Sequence, residues 1–344
     1  MNRIIRISIS RLLFMLISGM FLFISCKKEK RPPIKSPDIY IAGNEYNGTK
    51  RVAKYWKNGK EVLLTDGTSN AYAYSIAVSE NNIYVAGHEE NASKKVAKYW
   101  KNGEAIHLSD GVQDTYATSI QIVGSDVFVA GYEYNGAKRI AKYWKNGVAF
   151  VLTDGSQDAY GQDIFVSGSD VYVCGIEYNG SHLVAKYWKN GAEIALSDGS
   201  NDCVAKAITV LNGIVYVTGY VSDGLSIYAK YWKDGVMMPL ANSSGAIESG
   251  ANAITISEGK IYCVGNEYTD GRDVVRYWKD GGGNSIGNAS AHSYGQDILI
   301  FNNDIYITGY EFNGTIDVPK LWKNGKEVIL QATGAAQAHA IAVQ

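Results

Sequence analysis

The stretch Ala53-Lys54-Tyr55-Trp56-Lys57-Asn58-Gly59 decides how this sequence is read. It returns at Ala97, Ala141 and Ala185, then as AKYWKDG at Ala229, VRYWKDG at Val275 and PKLWKNG at Pro319. All seven tryptophans lie in these copies, at 56, 100, 144, 188, 232, 278 and 322, a spacing of 44 apart from one interval of 46. Each phrase ends in Asn-Gly or Asp-Gly. Those dipeptides tolerate the two positive φ angles of a type I′ turn, so they mark a tight hairpin between two strands.

Working outward from the phrase, each period holds four short apolar runs separated by turn residues. In one period they are SIAV from Ser75, NIYVAG from Asn82, VAKYW from Val96 and EAIHL from Glu104. The runs are rich in β-branched and aromatic residues, and none shows helical spacing. A sheet of four short strands cannot bury both faces alone, but seven arranged radially cover one another. The expectation is therefore an all-β, seven-bladed β-propeller with four antiparallel strands, A to D from the channel outwards, in each blade. Neither the WD dipeptide nor the paired glycines of kelch repeats occur, and the alternative to a propeller is a β-solenoid or hairpin array.

The phase of the repeat predicts how the ring closes. The folded region opens at Asp38 with DIYIAG, a strand-B sequence, and ends at Gln344 with AHAIAVQ, a strand-A sequence. The last blade should join strand A from the C-terminus to strands B, C and D from residues 38–66, giving one propeller over 38–344.

The N-terminus reads as an export signal. Arg3, Arg6 and Arg11 precede an uncharged run of 14 residues, Leu12 to Ser25, too short for the about 20 residues of a membrane-spanning helix. It ends in Leu22-Phe23-Ile24-Ser25-Cys26, which resembles the lipobox of bacterial lipoproteins, with Phe23 where leucine is usual. The resemblance implies a signal peptide over 1–25, lipidation of Cys26, a basic, proline-bearing stalk over 26–37, and residence in the cell envelope, at the outer membrane. Membrane attachment would run through the lipid alone. The chain's net charge of −1 divides into +3 for residues 1–26, +4 for 27–37 and −8 for 38–344. A folded part with an acidic excess argues against nucleic acid as a partner. A monomer is expected.

Repeats within one chain separate scaffold from site. A glycine ends strand B in every copy (Gly43, Gly87, Gly131, Gly175, Gly219, Gly265, Gly309), which signals a bulge or a close backbone approach. On strand C, Tyr55 and Trp56 should face opposite sides and wedge neighbouring blades. Lys54 and its counterparts should pair with Glu45 and its counterparts on strand B. Pro319, in place of alanine on strand C, predicts a local bulge.

Where the copies differ, at the mouth of strand A, stand Tyr74, Thr118, Gln162, Lys206, Asn252, Gln296 and His339, together with Tyr72, Tyr116, Tyr160 and Tyr294. These should ring the central opening, and flat aromatic faces mixed with amides suit a glycan or a protein partner. A binding or scaffold role is favoured. The competing expectation is a propeller-type glycan lyase or hydrolase drawing on Tyr160, Tyr294, Lys206, His339, Asp163 and Asp297. Asp66, Asp110, Asp154 and Asp198 open Asp-Gly loops that could hold calcium, although an Asx turn accounts for them more simply. A Cys174–Cys203 bridge stays open from sequence.

Overall fold

The structure is a computed structural model and describes residues 36–287 and 290–344. The signal sequence, Cys26 and the stalk as far as Lys35 lie outside the described residues. Residues 37–344 form one compact unit of seven four-stranded antiparallel sheets. We number the blades along the chain: blade 1 spans 71–107, blade 2 115–151, blade 3 159–195, blade 4 203–239, blade 5 248–285 and blade 6 293–328. Blade 7 takes strand A from Ala336–Val343 and strands B, C and D from Ile39–Tyr46, Arg51–Lys57 and Lys60–Leu63. The two ends of the folded region therefore hydrogen-bond to each other, Ile41 opposite Ile341, and the ring closes as the phase of the repeat requires.

The hairpin turn forms for the reason the sequence gives. Asn58 and Gly59 have φ of 52° and 83°, and the other six copies repeat the pattern. The asparagine has a second task. Its Oδ1 accepts the N–H of Ile39 at the start of strand B, and the same bond recurs at Asn102, Asn146, Asn190, Asp234, Asp280 and Asn324. Each turn thus also satisfies the first strand-B donor.

Seven apolar clusters fill the seven spaces between blades, and each is built from the same pair. Trp100 of blade 1 packs with Tyr55 of blade 7, Trp144 with Tyr99, and Trp56 with Leu321 of blade 6. The strand alternation sends the tryptophan to the preceding blade and its neighbour to the following one. All seven tryptophans are almost fully buried. Beside them, six strand-C bases pair with strand-B glutamates at 2.5–3.4 Å, from Lys54–Glu45 to Lys320–Glu311. In blade 4 Val221 replaces the glutamate opposite this row.

Pro319 does not produce the expected bulge. Its register is continuous, Gly309 opposite Lys320 and Tyr310 opposite Pro319. The reason lies in five of the other blades, where the equivalent N–H leaves the ladder and donates to a hydroxyl: Ala53 to Thr65, Ala141 to Thr153, Ala185 to Ser197, Ala229 to Ser249 and Val275 to Ser293. Proline forfeits only that bond, and the residue twelve positions on is here Gln331 instead of a hydroxyl.

Deleting residues 337–344 removes the inner strand of blade 7 and its contacts with blades 6 and 1. Thermal melting followed by circular dichroism should show the cooperative transition of the whole ring lost or lowered by more than about 10 °C, the scale on which several kcal/mol act. A truncated chain that melts like its parent contradicts the closure.

Candidate functional site

Each strand A carries one residue too many for the strand B it pairs with. The register slips between Ala73 and Ser75, Ala117 and Ser119, Gly161 and Asp163, Ala205 and Ala207, Ala251 and Ala253, Gly295 and Asp297, and opposite Ala42 and Gly43 between Ala340 and Ala338. The residue passed over is in turn Tyr74, Thr118, Gln162, Lys206, Asn252, Gln296 and His339. These are the seven variable positions. A bulged residue is unpaired and its side chain is re-aimed. The strand-B glycine is what lets the bulge form: a Cβ on Gly87 would overlap the carbonyl of Tyr72, and one on Gly131 that of Tyr116.

All seven bulged side chains line a central throat of about 150 Å³, with Ser75, Ser119, Asp163, Ala207, Ala253, Asp297 and Ala340 beneath them. Part of this lining ties blades together. Thr118 donates to Gly161 O at 2.9 Å and Asn252 to Gly295 O at 2.8 Å, each reaching the next blade's bulge. Asp163 accepts Ser119 Oγ at 2.6 Å and the N–H groups of Ile164 and Ile208. Asp297 accepts Ile298 and Ile341 in the same way. Burial raises both carboxyls, Asp297 to about 7. His339 faces Asn44 Oδ1 at 3.0 Å, and burial holds it down at about 4.

Two hollows open beside the throat, and they differ in chemistry. Over blades 1 to 3 a hollow of about 320 Å³ is lined by Tyr74, Tyr116, Tyr132, Tyr160, Thr118 and Gln162. Its rings form a continuous relay: Tyr116 stacks on Tyr132 at 4.6 Å, Tyr132 meets Tyr160 edge-on at 4.9 Å, and His88 meets Tyr116 at 4.8 Å. Tyr72 stacks on His88 at 4.9 Å and so supports this wall from behind. Arg139 lies between the rings of Tyr134 and Tyr160, 4.8 and 4.9 Å from their centres. Over blades 4 and 5 a hollow of about 260 Å³ is polar, with Lys206, Tyr220, Glu248, Asn252, Asn266 and Asp273 on its wall.

The strand-A positions one step out from the bulges do not all face the opening. Tyr116 and Tyr160 do so in the aromatic hollow, whereas Tyr294 stacks on Tyr310 and donates to Asp273 at 2.7 Å. Sequence reasoning missed the strand-B residue after the glycine: Asn44, His88, Tyr132, Ile176, Tyr220, Asn266 and Tyr310. Its own variety from copy to copy was the signal.

The remaining candidates are placed as follows. The oxygens of Asp66, Asp110, Asp154 and Asp198 accept the N–H two residues on, at 2.8–3.0 Å, as Asx turns do. Among the described residues no three acidic, histidine or cysteine side chains gather as a metal site. Cys174 and Cys203 share one core cluster as free thiols. Among Asp163, Asp297, Tyr160, Tyr294, Lys206 and His339, none hydrogen-bonds another within the described residues; each has other partners, or in the case of Lys206 none.

No family model matches the chain and no curated protein resembles it, so the throat and its two hollows carry the functional argument.

Asp297 makes the ring's stability depend on pH. A carboxyl that burial pushes up to about 7 in the folded chain, above the ordinary carboxylate range, stabilises the fold at acid pH and loses that contribution as pH rises through 7. His339, held down at about 4, acts with the opposite sign over part of this range, so urea melts compare the parent with Asp297→Asn at each pH. From pH 5 to pH 8 the parent should lose about 1–2 kcal/mol relative to Asp297→Asn, less than a sealed site would give because water reaches the throat. Equal pH slopes in the two chains contradict this role.

Proposed function

We propose that this chain is an exported lipoprotein, anchored through Cys26 at the outer membrane of the cell envelope, whose propeller binds a glycan at the throat-side rim without turning it over. The anchoring rests on the lipobox resemblance; the propeller would act as a monomer.

One observation carries the binding reading. The bulged positions differ between blades, and they converge on one opening beside a wall of tyrosine faces. Seven identical devices would need seven identical residues; seven different ones around one opening suit a single asymmetric ligand. A glycan is favoured over a protein partner because the aromatic hollow is lined by tyrosines, a threonine and a glutamine, with no aliphatic side chain to receive an apolar anchor. Tyrosine offers a flat apolar face with a polar tip, which matches a sugar ring's C–H face and hydroxyl edge.

The test is a glycan array probed with the full chain in mild detergent, followed by a reducing-end release assay on every hit. Saturable binding without release is expected. Tyr116→Ala and Tyr160→Ala should weaken binding at least about tenfold, 1.4 kcal/mol, with melting unchanged to within a few degrees. A silent array with a folded chain overturns the glycan reading. Release that disappears in His339→Ala would instead support the lyase or hydrolase alternative.

A further inference from the structure

Lys206 is the charged residue of the throat whose chemistry the ring does not use. It is the cationic member of the seven bulged residues, since His339 is held neutral and the other five are uncharged. It is part-buried, and among the described residues it has neither an ion pair nor a side-chain hydrogen bond. Burial lowers its pKa, and no carboxylate acts to raise it. The carboxyls that share its throat, Asp163 and Asp297, are bonded to main-chain N–H groups of neighbouring blades. Those of the adjoining hollow are not its partners either. Asp273 accepts Tyr294 and Asn266, and Glu248 is exposed without an ion pair to Lys206.

A desolvated ammonium with no counter-charge costs stability. On strand C six of the seven bases are matched to glutamates, and Lys230, where Val221 replaces the glutamate, lies over the ring of Tyr228. The throat's size narrows what could supply the missing charge. About 150 Å³ falls below the roughly 300 Å³ at which small-molecule pockets begin, so the throat suits a substituent better than a whole oligosaccharide. The aromatic hollow shares Tyr74, Thr118 and Gln162 with the throat, and Lys206 is the next bulge after Gln162 around the ring.

We propose that the ligand is an acidic glycan: a sugar ring seated on Tyr116, Tyr132 and Tyr160 directs an anionic substituent, a carboxylate or a sulfate ester, into the throat to pair with Lys206. This rests on the glycan-binding reading and adds the charge. The amides of Gln162 and Gln296, which form no side-chain hydrogen bond among the described residues, supply N–H donors on either side of the ammonium.

Calorimetric titration of the full chain in detergent tests it with four probes: tetragalacturonate, its methyl ester, a sulfated galactan tetrasaccharide and neutral galactotetraose. One acidic probe should bind at least about tenfold more tightly than both uncharged ones, and which of the two does so separates carboxylate from sulfate. Lys206→Gln should lose that tenfold preference, and Lys206→Arg should restore part of it. Lys206→Met should melt at the parent's temperature or above it, because it removes an unpaired charge. Equal binding of charged and uncharged probes, unchanged in Lys206→Gln, overturns the inference and leaves the glycan reading standing. So does a Lys206→Met chain that melts several degrees lower, since the lysine would then be structural. If none of the four probes binds, the inference falls; if the array is silent as well, the glycan reading falls with it.

Discussion

The inner strand of every blade passes over one residue where it pairs with the strand beside it, and a glycine is what lets the two stay paired. Without a Cβ at Gly87 or its six counterparts, the carbonyl two residues before the bulge closes against bare backbone. With one, the bulge could not form. The bulge has two consequences at once. It bends strand A at the channel wall, and it frees one side chain per blade from the pairing alternation. The throat exists because this happens seven times, and its chemistry differs around the ring because the freed side chain is under no common packing demand.

The repeated residues have the opposite situation. Trp56 and its counterparts fill the space shared with one neighbour while Tyr55 and most of its counterparts reach the other, so a change in either alters two blade angles. Removing a buried tryptophan costs about 3–5 kcal/mol, a large part of the stability of any domain. The hairpin asparagine serves both the positive φ of its turn and the first donor of strand B. Even the lone proline of a strand C fits, because the N–H it lacks never belonged to the ladder. Repetition in this chain marks residues with two structural partners.

That contrast explains what the sequence disclosed. Strand number, hairpin turns, blade count and ring closure follow from local signals repeated often enough to be unmistakable. The strand-B glycine announced a bulge or a close approach and turned out to be both. Its pattern could not say which residue of strand A would be passed over, because that depends on register between strands. The roles of Asp163 and Asp297 were hidden for a similar reason. Each accepts a donor from the next blade, a relation set by the radius of the ring and not by spacing along the chain. The division of the rim into a tyrosine side and a polar side also needed the fold, since Tyr132, which joins Tyr116 to Tyr160 in the wall, comes from strand B.

The bulge glycines hold the ring, and the bulged glutamines, which bond to nothing in it among the described residues, do not. Urea unfolding of two variants measures it directly: Gly87→Ala with Gly131→Ala in one chain, Gln162→Ala with Gln296→Ala in the other. The account predicts that the glutamine pair stays within about 1 kcal/mol of the parent, as substitutions away from packed or bonded features do. The glycine pair should lose several kcal/mol or fail to fold, because each added Cβ meets a main-chain carbonyl. Equal stability of the two variants, or a greater loss in the glutamine pair, would contradict it.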